Sequence, residues 1–338
     1  MLVDVTRVLS FHATYRCANS GACCTADWPI PVEADRLSRL QAALANGNLR
    51  ARGGIAEPLL FLAGAPIETP AVLATRDHAC GFYDGAAGRP GCRIHRALGH
   101  ETLPLACRQF PRIVVHDPRG VSVTLSHYCP TAAAMLDREA PVSIVTDASS
   151  FPSDGEYVGL DATHTLPPLL TEGILMDWDS WWECERLAVE LLGNFGRGPA
   201  EALALLTGAV SEVQTWTPEA ADPLIDHVQR SFARATPALH RLTAHDELLT
   251  ELESRLPPSA SLRPSASPRA SASPRDTAAS PRAVNRFLAA HAFANWAVHG
   301  RGGINAWVRS IETAHALVVA GAGVRDADLR LRHLADAV

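Results

Sequence analysis

Residues 80–112 read CGFYDGAAGRPGCRIHRALGHETLPLACRQFPR and contain three cysteines, Cys80, Cys92 and Cys107. The stretch is rich in glycine and lacks a continuous apolar pattern, so it offers little for a hydrophobic core. Because the free energy of binding a metal is also folding free energy, thiolates that hold a metal can supply the missing cohesion. This stretch predicts a fold that is organised by its cysteines.

Four further cysteines lie on either side of this stretch, in C17ANSGACC24 and in SHYC129. Long chains without a secretory signal keep their thiols reduced, so metal binding is favoured over a disulfide framework. Cys184 lies apart in the helical pattern WWECERL and is interpreted as a packing residue. The candidate metal ligands are Cys17, Cys23, Cys24, Cys80, Cys92, Cys107 and Cys129.

The identity of the metal follows from the cysteine spacing. Structural zinc is usually announced by pairs of cysteines two to four residues apart, and the chain has no such pair. The side chains of the adjacent Cys23 and Cys24 are expected to diverge, which suits an iron–sulfur cluster such as [4Fe–4S] better than one zinc ion. We therefore expect an iron–sulfur cluster, with zinc as the alternative. Three histidines near the cysteines could be ligands or could donate to sulfur, or could lie there by coincidence: His78, His95 and His127.

Hydrophobic periodicity predicts the fold class. The runs RIVVHD and GVSVTL flank a Pro-Arg turn and indicate a β-hairpin, and residues 31–45 and 94–99 have helical character. Apolar residues recur at helical spacing from about Leu169 to Leu252 and again from Ala283 onward, with the first two later helices ending near Gly300 and Gly321. The fold is predicted to be mainly α with a small β-hairpin, its irregular cysteine-rich metal-binding region packed on a helical layer.

A tract rich in Ser, Ala, Pro and Arg interrupts the helical patterns at residues 256–282 and cannot bury a core. It predicts a disordered linker. The predicted organisation is a cysteine-cluster metal-binding region at 1–150, a helical region at 151–255, the linker at 256–282 and C-terminal helices at 283–338.

Composition excludes several classes of protein. The chain has 338 residues, a net charge of −6 and thirty basic residues, all of them arginine, so a lysine Schiff base is impossible and no basic face for nucleic acid is indicated. No apolar run approaches the roughly 20 residues of a membrane span, and the first residues lack a secretory pattern. We expect a cytoplasmic protein that binds neither nucleic acid nor membrane.

The order and spacing of the motifs from about Phe11 to Leu136 resemble the YkgJ-type cysteine-cluster family, a zinc- or iron-chelating domain related to flagellin lysine N-methylase. The first block is Y15RC with CC24 and W28PI, and the second is residues 80–112 with its CRIHRALG and LPLACRQFPR segments. The third is L125SHYCPTAAAML. One position departs from the family pattern, because Ser20 stands where the pattern has a cysteine.

The resemblance implies S-adenosylmethionine-dependent N-methylation of a protein lysine, with a flagellin-like acceptor. The residues themselves give this thin support, since no G-x-G-x-x-G follows a strand and no C-x3-C-x2-C run is present. Asp177 to Glu183 offer carboxylates and tryptophans for a lysine ammonium, but a core helix explains the same residues better. No catalytic residue is assigned. The hypotheses are a lysine methylase, a redox or metal-handling module, and a zinc-stabilised interaction protein.

Overall fold

A computed structural model describes residues 5–26, 28–85, 90–193, 196–237, 245–254 and 279–335. The strands in these ranges are β1 (Thr6–Leu9), β2 (Pro31–Val32), β3 (Leu59–Phe61), β4 (Ala71–Leu73), β5 (Thr75–Arg76), β6 (Ala79–Cys80), β7 (Tyr83–Asp84), β8 (Gly91–Cys92), β9 (Arg112–Asp117), β10 (Gly120–Leu125), β11 (Ile144–Thr146), β12 (Leu160–Asp161), β13 (Leu169–Thr171) and β14 (Ile174–Leu175). The helices are α1 (Ala34–Ala45), α2 (Arg93–Leu98), α3 (Leu105–Gln109), α4 (Pro130–Ala134), α5 (Trp178–Leu192), α6 (Pro199–Val213), α7 (Leu224–Ala233), α8 (His245–Glu253), α9 (Pro281–Ala292), α10 (Gly303–Leu317) and α11 (Gly323–Ala335).

The chain divides into two compact units. The cysteine unit comprises residues 16–112 and 129–131, and the helical unit comprises residues 5–15, 113–128 and the described residues from 132 onward. This division does not coincide with the predicted boundary at residue 150, because β1, β9 and β10 belong with the helices. Most of the predicted linker, residues 256–278, lies outside the described residues, and its last two residues, Pro281 and Arg282, begin α9.

The cysteine unit is built from short strands around a small core. β4 pairs antiparallel with β2 and β3, while β5 pairs with β6 and β7 with β8 as hairpins. The β5–β6 turn has positive φ at both central residues, Asp77 and His78, the geometry that matches the twist of a two-residue hairpin. Helix α1 covers the three-stranded sheet's core through Leu37 and Leu40, which join Phe82 and Ile94 in one buried cluster.

The helical unit contains a five-stranded mixed sheet in the order β11-β1-β10-β9-β12. The predicted hairpin is present as β9 and β10, so that prediction is confirmed. The sheet is larger than a hairpin because β1 pairs parallel with β10 and antiparallel with β11, and β12 pairs parallel with β9. These added strands are only two to four residues long, too short for a period-2 pattern to be evident in the sequence.

The predicted helices form the core of this unit. Trp181 of α5 meets Trp307 of α10 edge to face, with ring centroids 5.0 Å apart, and both side chains are buried. The Trp307 Nε1–H donates to the Ala292 carbonyl at 2.9 Å, so its polar group is also satisfied. The helical layer of the sequence analysis is confirmed, and the chain is a mixed helix-and-sheet protein.

Two predicted helix boundaries differ from the structure. Pro31 and Val32 are extended in β2, and α1 begins only after Glu33. Helix α9 ends at Ala292 instead of near Gly300, because Asn295 donates to the His291 carbonyl at 2.6 Å and accepts from the Ala297 N–H at 2.8 Å. Those bonds start a separate 3₁₀ turn, Trp296–His299. Gly321 does take a left-handed conformation shortly after α10, with φ 87°.

A buried ion network ties the β9–β10 turn to α5. The Arg119 guanidinium donates to Asp117 at 2.6 Å and to Glu185 at 2.9 Å, and Arg7 of β1 donates to Asp117 at 3.1 Å. Glu185 also accepts from the Ala294 N–H at 3.1 Å. Burial alone would raise the pKa of Asp117, but the two arginines hold it below its usual value. The network therefore joins β1 and the β9–β10 turn to α5 and to the residue that follows Phe293.

We predict that Arg119→Ala lowers the free energy of unfolding of the helical unit by about 3–5 kcal/mol, because the buried Glu185 loses its arginine and Asp117 keeps only Arg7. Arg186→Ala is the control: Arg186 also bridges two carboxylates, Glu183 and Glu190, but it is 43% exposed, and its loss should cost less than about 1 kcal/mol. Urea denaturation followed by far-UV circular dichroism measures both. Equal effects of the two substitutions would contradict a supporting role for the network.

Candidate metal centre

Five cysteine side chains come together in the core of the cysteine unit. The buried Cys24 and Cys80 belong to its hydrophobic cluster, and Cys23, Cys92 and Cys107 pack against that cluster. The titration of each of these thiols is affected by at least one other thiol of the group. Five of the seven predicted ligands therefore share one environment, although they are spread over 85 residues of sequence.

The turn that carries Cys23 and Cys24 depends on Gly21. Residues Ala22–Cys24 form one 3₁₀ turn, and Gly21 before it has φ 76°. A Cβ atom at Gly21 would lie 2.6 Å from Cε2 of Tyr83, so the backbone passes directly against that ring. This turn brings the Sγ atoms of Cys23 and Cys24 to 3.9 Å from each other. The expectation that the two side chains diverge is therefore wrong.

Two hairpins and a helix start position Cys80 and Cys92. Cys80 pairs with Thr75 across β5 and β6, and its Sγ accepts from the Phe82 N–H at 3.5 Å. Burial raises the pKa of Cys80 to about 11. Cys92 pairs with Tyr83 across β7 and β8 and is the residue immediately before α2.

Cys24 is the central thiol of the group. It hydrogen-bonds to Cys23 and Cys92, which raises the pKa of Cys24 strongly and lowers the pKa of Cys23. The same bond from Cys24, aided by the N–H groups of Ile94 and His95 and opposed by burial, lowers the pKa of Cys92 to about 7. Cys24 is thus the thiol of the group that least readily loses its proton, and its hydrogen bonds favour the thiolate forms of Cys23 and Cys92.

Cys107 is held in place by Glu33. The Glu33 carboxylate, at the N-terminus of α1, accepts the Leu105 N–H at 3.1 Å with both oxygens and so fixes the start of α3. Burial raises the pKa of Cys107 well above its usual value, and the nearby Cys23 and Cys92 raise it further. No sequence motif marks Glu33, because its partner is a backbone group 72 residues away.

The other candidate cysteines are placed differently. Cys17 is exposed, and its Sγ accepts from the Asn19 N–H at 3.4 Å. Cys129 is buried and directly precedes α4. Cys184 is fully buried in the core cluster of the helical unit, where the sequence analysis expected a packing role.

The histidines and arginines near the cysteines make other contacts. His78 is exposed in the β5–β6 turn, and His127 lies in the helical unit with its Nε2 3.1 Å from Nε2 of His12. Arg108 donates to the Leu103 carbonyl at 3.2 Å, and Arg112 donates to the Arg108 carbonyl at 3.1 Å. These arginines fix the backbone around α3, a role that the sequence analysis did not predict.

The donor set suits a thiophilic metal, since soft thiolates select zinc, copper(I) and iron–sulfur clusters. Two thiolates on one tetrahedral zinc lie about 3.8 Å apart, given zinc–sulfur bonds of about 2.3 Å. The 3.9 Å between Cys23 and Cys24 matches that separation. Across the ranges described above, however, no three Cys, His, Asp or Glu side chains are already arranged around a single ion. Binding would require rotation of one or more thiols.

The site is thus a thiol-rich core in a unit of short strands. Comparisons with protein-family models, curated proteins and solved structures found no match for this chain. None of the helices that the structure describes is both long and apolar enough to cross a bilayer.

We predict that Gly21→Ala displaces the Cys23–Cys24 turn, because alanine is strained at positive φ and its Cβ would collide with Tyr83. Gly47→Ala is the matched control: Gly47 has φ 78°, but nothing lies within 4 Å of its Cβ position, so only the cost of about 1–2 kcal/mol for the left-handed conformation applies. The free energy of unfolding and the rate of thiol modification by Ellman's reagent measure the difference. A loss no greater for Gly21→Ala than for Gly47→Ala would contradict the steric role of Tyr83.

Proposed function

We propose that the cysteine unit is a metal-binding module of the YkgJ-type cysteine-cluster family. The observation that carries the proposal is the convergence of five thiols, two of them buried and three half-buried, on one small core. A buried thiol can pack like a small apolar residue. The contact between the Cys23 and Cys24 thiols, which lowers the pKa of Cys23 and raises that of Cys24, suits groups that exchange a proton for a metal.

Cys24 would have to release its proton to bind a metal as a ligand. The lowered pKa values of Cys23 and Cys92 favour the thiolate form in which cysteine binds a metal. Cys80 and Cys107, whose pKa values burial raises, would also deprotonate as ligands. Five thiols exceed the four that a single zinc ion or cluster needs, so one of them would support the site without binding.

Our first proposal for the metal is an iron–sulfur cluster, held by four of the five thiolates. Zinc is the second candidate, and a specific observation favours it: Cys23 and Cys24 have the separation of two thiolates on one tetrahedral ion. A visible absorption spectrum of anaerobically purified protein, with iron, zinc and acid-labile sulfide measured on the same sample, separates the two. Matching iron and sulfide contents support the cluster, and stoichiometric zinc without a visible band supports the alternative.

We predict that Cys24→Ser and Cys92→Ser each lower the bound metal per chain by more than half, because they remove thiols at the centre of the group. Cys184→Ser is the control, since Cys184 is fully buried but lies in the helical unit. Elemental analysis of the purified variants gives the result. Full metal content in both Cys24→Ser and Cys92→Ser would place the metal elsewhere.

For the activity we propose S-adenosylmethionine-dependent N-methylation of a lysine in a protein such as flagellin, as the family resemblance implies. Support in the chain itself is limited to its composition: with no lysine among 338 residues, such an enzyme could not methylate its own side chains. The alternative is a zinc-stabilised interaction or metal-handling module without enzymatic activity.

We predict transfer of a labelled methyl group from S-adenosylmethionine to flagellin by the metal-loaded protein, and loss of that transfer in Cys92→Ser. A lysine-free arginine variant of the acceptor is the substrate control. If protein of full metal content transfers the label neither to flagellin nor to its arginine variant, the methylase is ruled out and the non-enzymatic alternative remains.

A further inference from the structure

Strand β3 of the cysteine unit has an open, apolar edge. It pairs with β4 on one side, and among the described residues no strand pairs with its other side. Leu60, Phe61 and Leu62 are all exposed, Phe61 by 62% and Leu62 by 51%. An exposed edge strand with apolar side chains is a template for pairing with another chain. We call this open side of residues 59–62 the β3 edge.

The pairing with β4 identifies the backbone groups that face the open side. The Pro58 carbonyl accepts from the Ala74 N–H at 2.9 Å, so Pro58 and Leu60 bond toward β4. In an antiparallel pair, successive residues of a strand bond toward opposite sides. The N–H and C=O groups of Leu59 and Phe61 therefore point toward the open side, where they offer two donors and two acceptors.

The side chains of β3 are apolar on both faces of the sheet. Successive side chains of a strand point to opposite faces. Leu59 packs against the hydrophobic cluster of the cysteine unit, so Phe61 shares that face and Leu60 lies on the other. A strand added at the β3 edge would therefore bury apolar surface on both faces.

The charge of the segment favours a second copy of this chain as the added strand. Residues 58–67, PLLFLAGAPI, contain no charged side chain, although edge strands are commonly protected by charges. Pro58 does not block the edge, because its nitrogen faces β4. A neutral edge has no charge complementarity to an acidic or a basic peptide, whereas two copies of it meet without repulsion.

We propose that two copies of this chain pair antiparallel through β3, around a two-fold axis at Leu60. In this register Leu59 lies opposite the second copy's Phe61, so the outward groups of both residues in both copies join in four hydrogen bonds. The two Leu60 side chains face one another, and Glu57 lies opposite Ala63 instead of a second carboxylate. Because this symmetric pairing occupies the β3 edge of both copies, assembly stops at a dimer.

Disulfide cross-linking tests the register. Directly opposed residues of a pair without backbone hydrogen bonds have Cα atoms about 4.5 Å apart, within the range of about 4.4–6.8 Å for a disulfide. Leu60→Cys should therefore link two copies when the purified full chain is oxidised with diamide. Leu62→Cys is the matched control: residue 62 lies opposite residue 58, so its two copies would be about 13 Å apart.

The sequence lets the cross-link be assigned without ambiguity. Trypsin cleaves this lysine-free chain after arginine and releases residues 53–76 as one peptide. That peptide contains no native cysteine, so a disulfide-linked dimer of it can arise only from the introduced residue. Mass spectrometry of the digest measures its yield.

Sedimentation equilibrium of the full chain measures the association itself. Leu60→Glu sets two carboxylates directly opposite one another and should raise the dissociation constant of the dimer at least about 10-fold. Leu166→Glu is the control, since Leu166 is 72% exposed but lies in the helical unit. This control should associate as the unaltered chain does.

An unaltered chain that sediments as a monomer at every concentration would overturn the proposal, as would equal disulfide yields from Leu60→Cys and Leu62→Cys. A dimer that Leu60→Glu leaves intact would place the interface elsewhere and would also overturn it. None of these measurements involves the metal content or methyl transfer, so they test the β3 edge separately from the proposed function.

Discussion

The cysteine unit depends on the packing of five thiols where a larger domain would have apolar side chains. Its strands are two or three residues long, and among the described residues its hydrophobic cluster, which includes Leu40, Phe82 and Ile94, is smaller than the core of the helical unit. Small domains bury too little apolar surface for that burial alone to stabilise them. These thiols pack in the core without a ligand. When a metal is present, its binding would add folding free energy to a unit whose apolar core supplies little.

The backbone around the thiols explains how residues distant in sequence come together. Glu33 fixes α3 through a single N–H, Gly21 lets the chain pass against Tyr83, and the start of α2 directs its amide groups toward Cys92. Each is a local device of two or three residues. Together they place five thiols in one core without a long strand or helix.

The sequence predicted the features that repeat along the chain and missed those that depend on single contacts. Helices α5, α6 and α10 are long enough for their apolar period to be read, and the β9–β10 hairpin is marked by its turn. The stop of α9 at Ala292 depends on Asn295, and the parallel pairing of β1 depends on strands far away in sequence. The spacing of the cysteines likewise indicated one group of ligands, but it could not show that the Sγ atoms of Cys23 and Cys24 lie 3.9 Å apart.

The 3.9 Å between the Sγ atoms of Cys23 and Cys24 bears on the identity of the metal. The sequence favoured an iron–sulfur cluster because adjacent side chains in an extended segment point apart, but a 3₁₀ turn brings them to the same side. Thiolates on different corners of a cluster lie farther apart than two thiolates on one zinc ion. A cluster would therefore use only one of Cys23 and Cys24 as a ligand, with the other as a donor to its sulfur, whereas zinc could take both. The metal thus determines whether Cys24 is a ligand or a supporting hydrogen-bond donor.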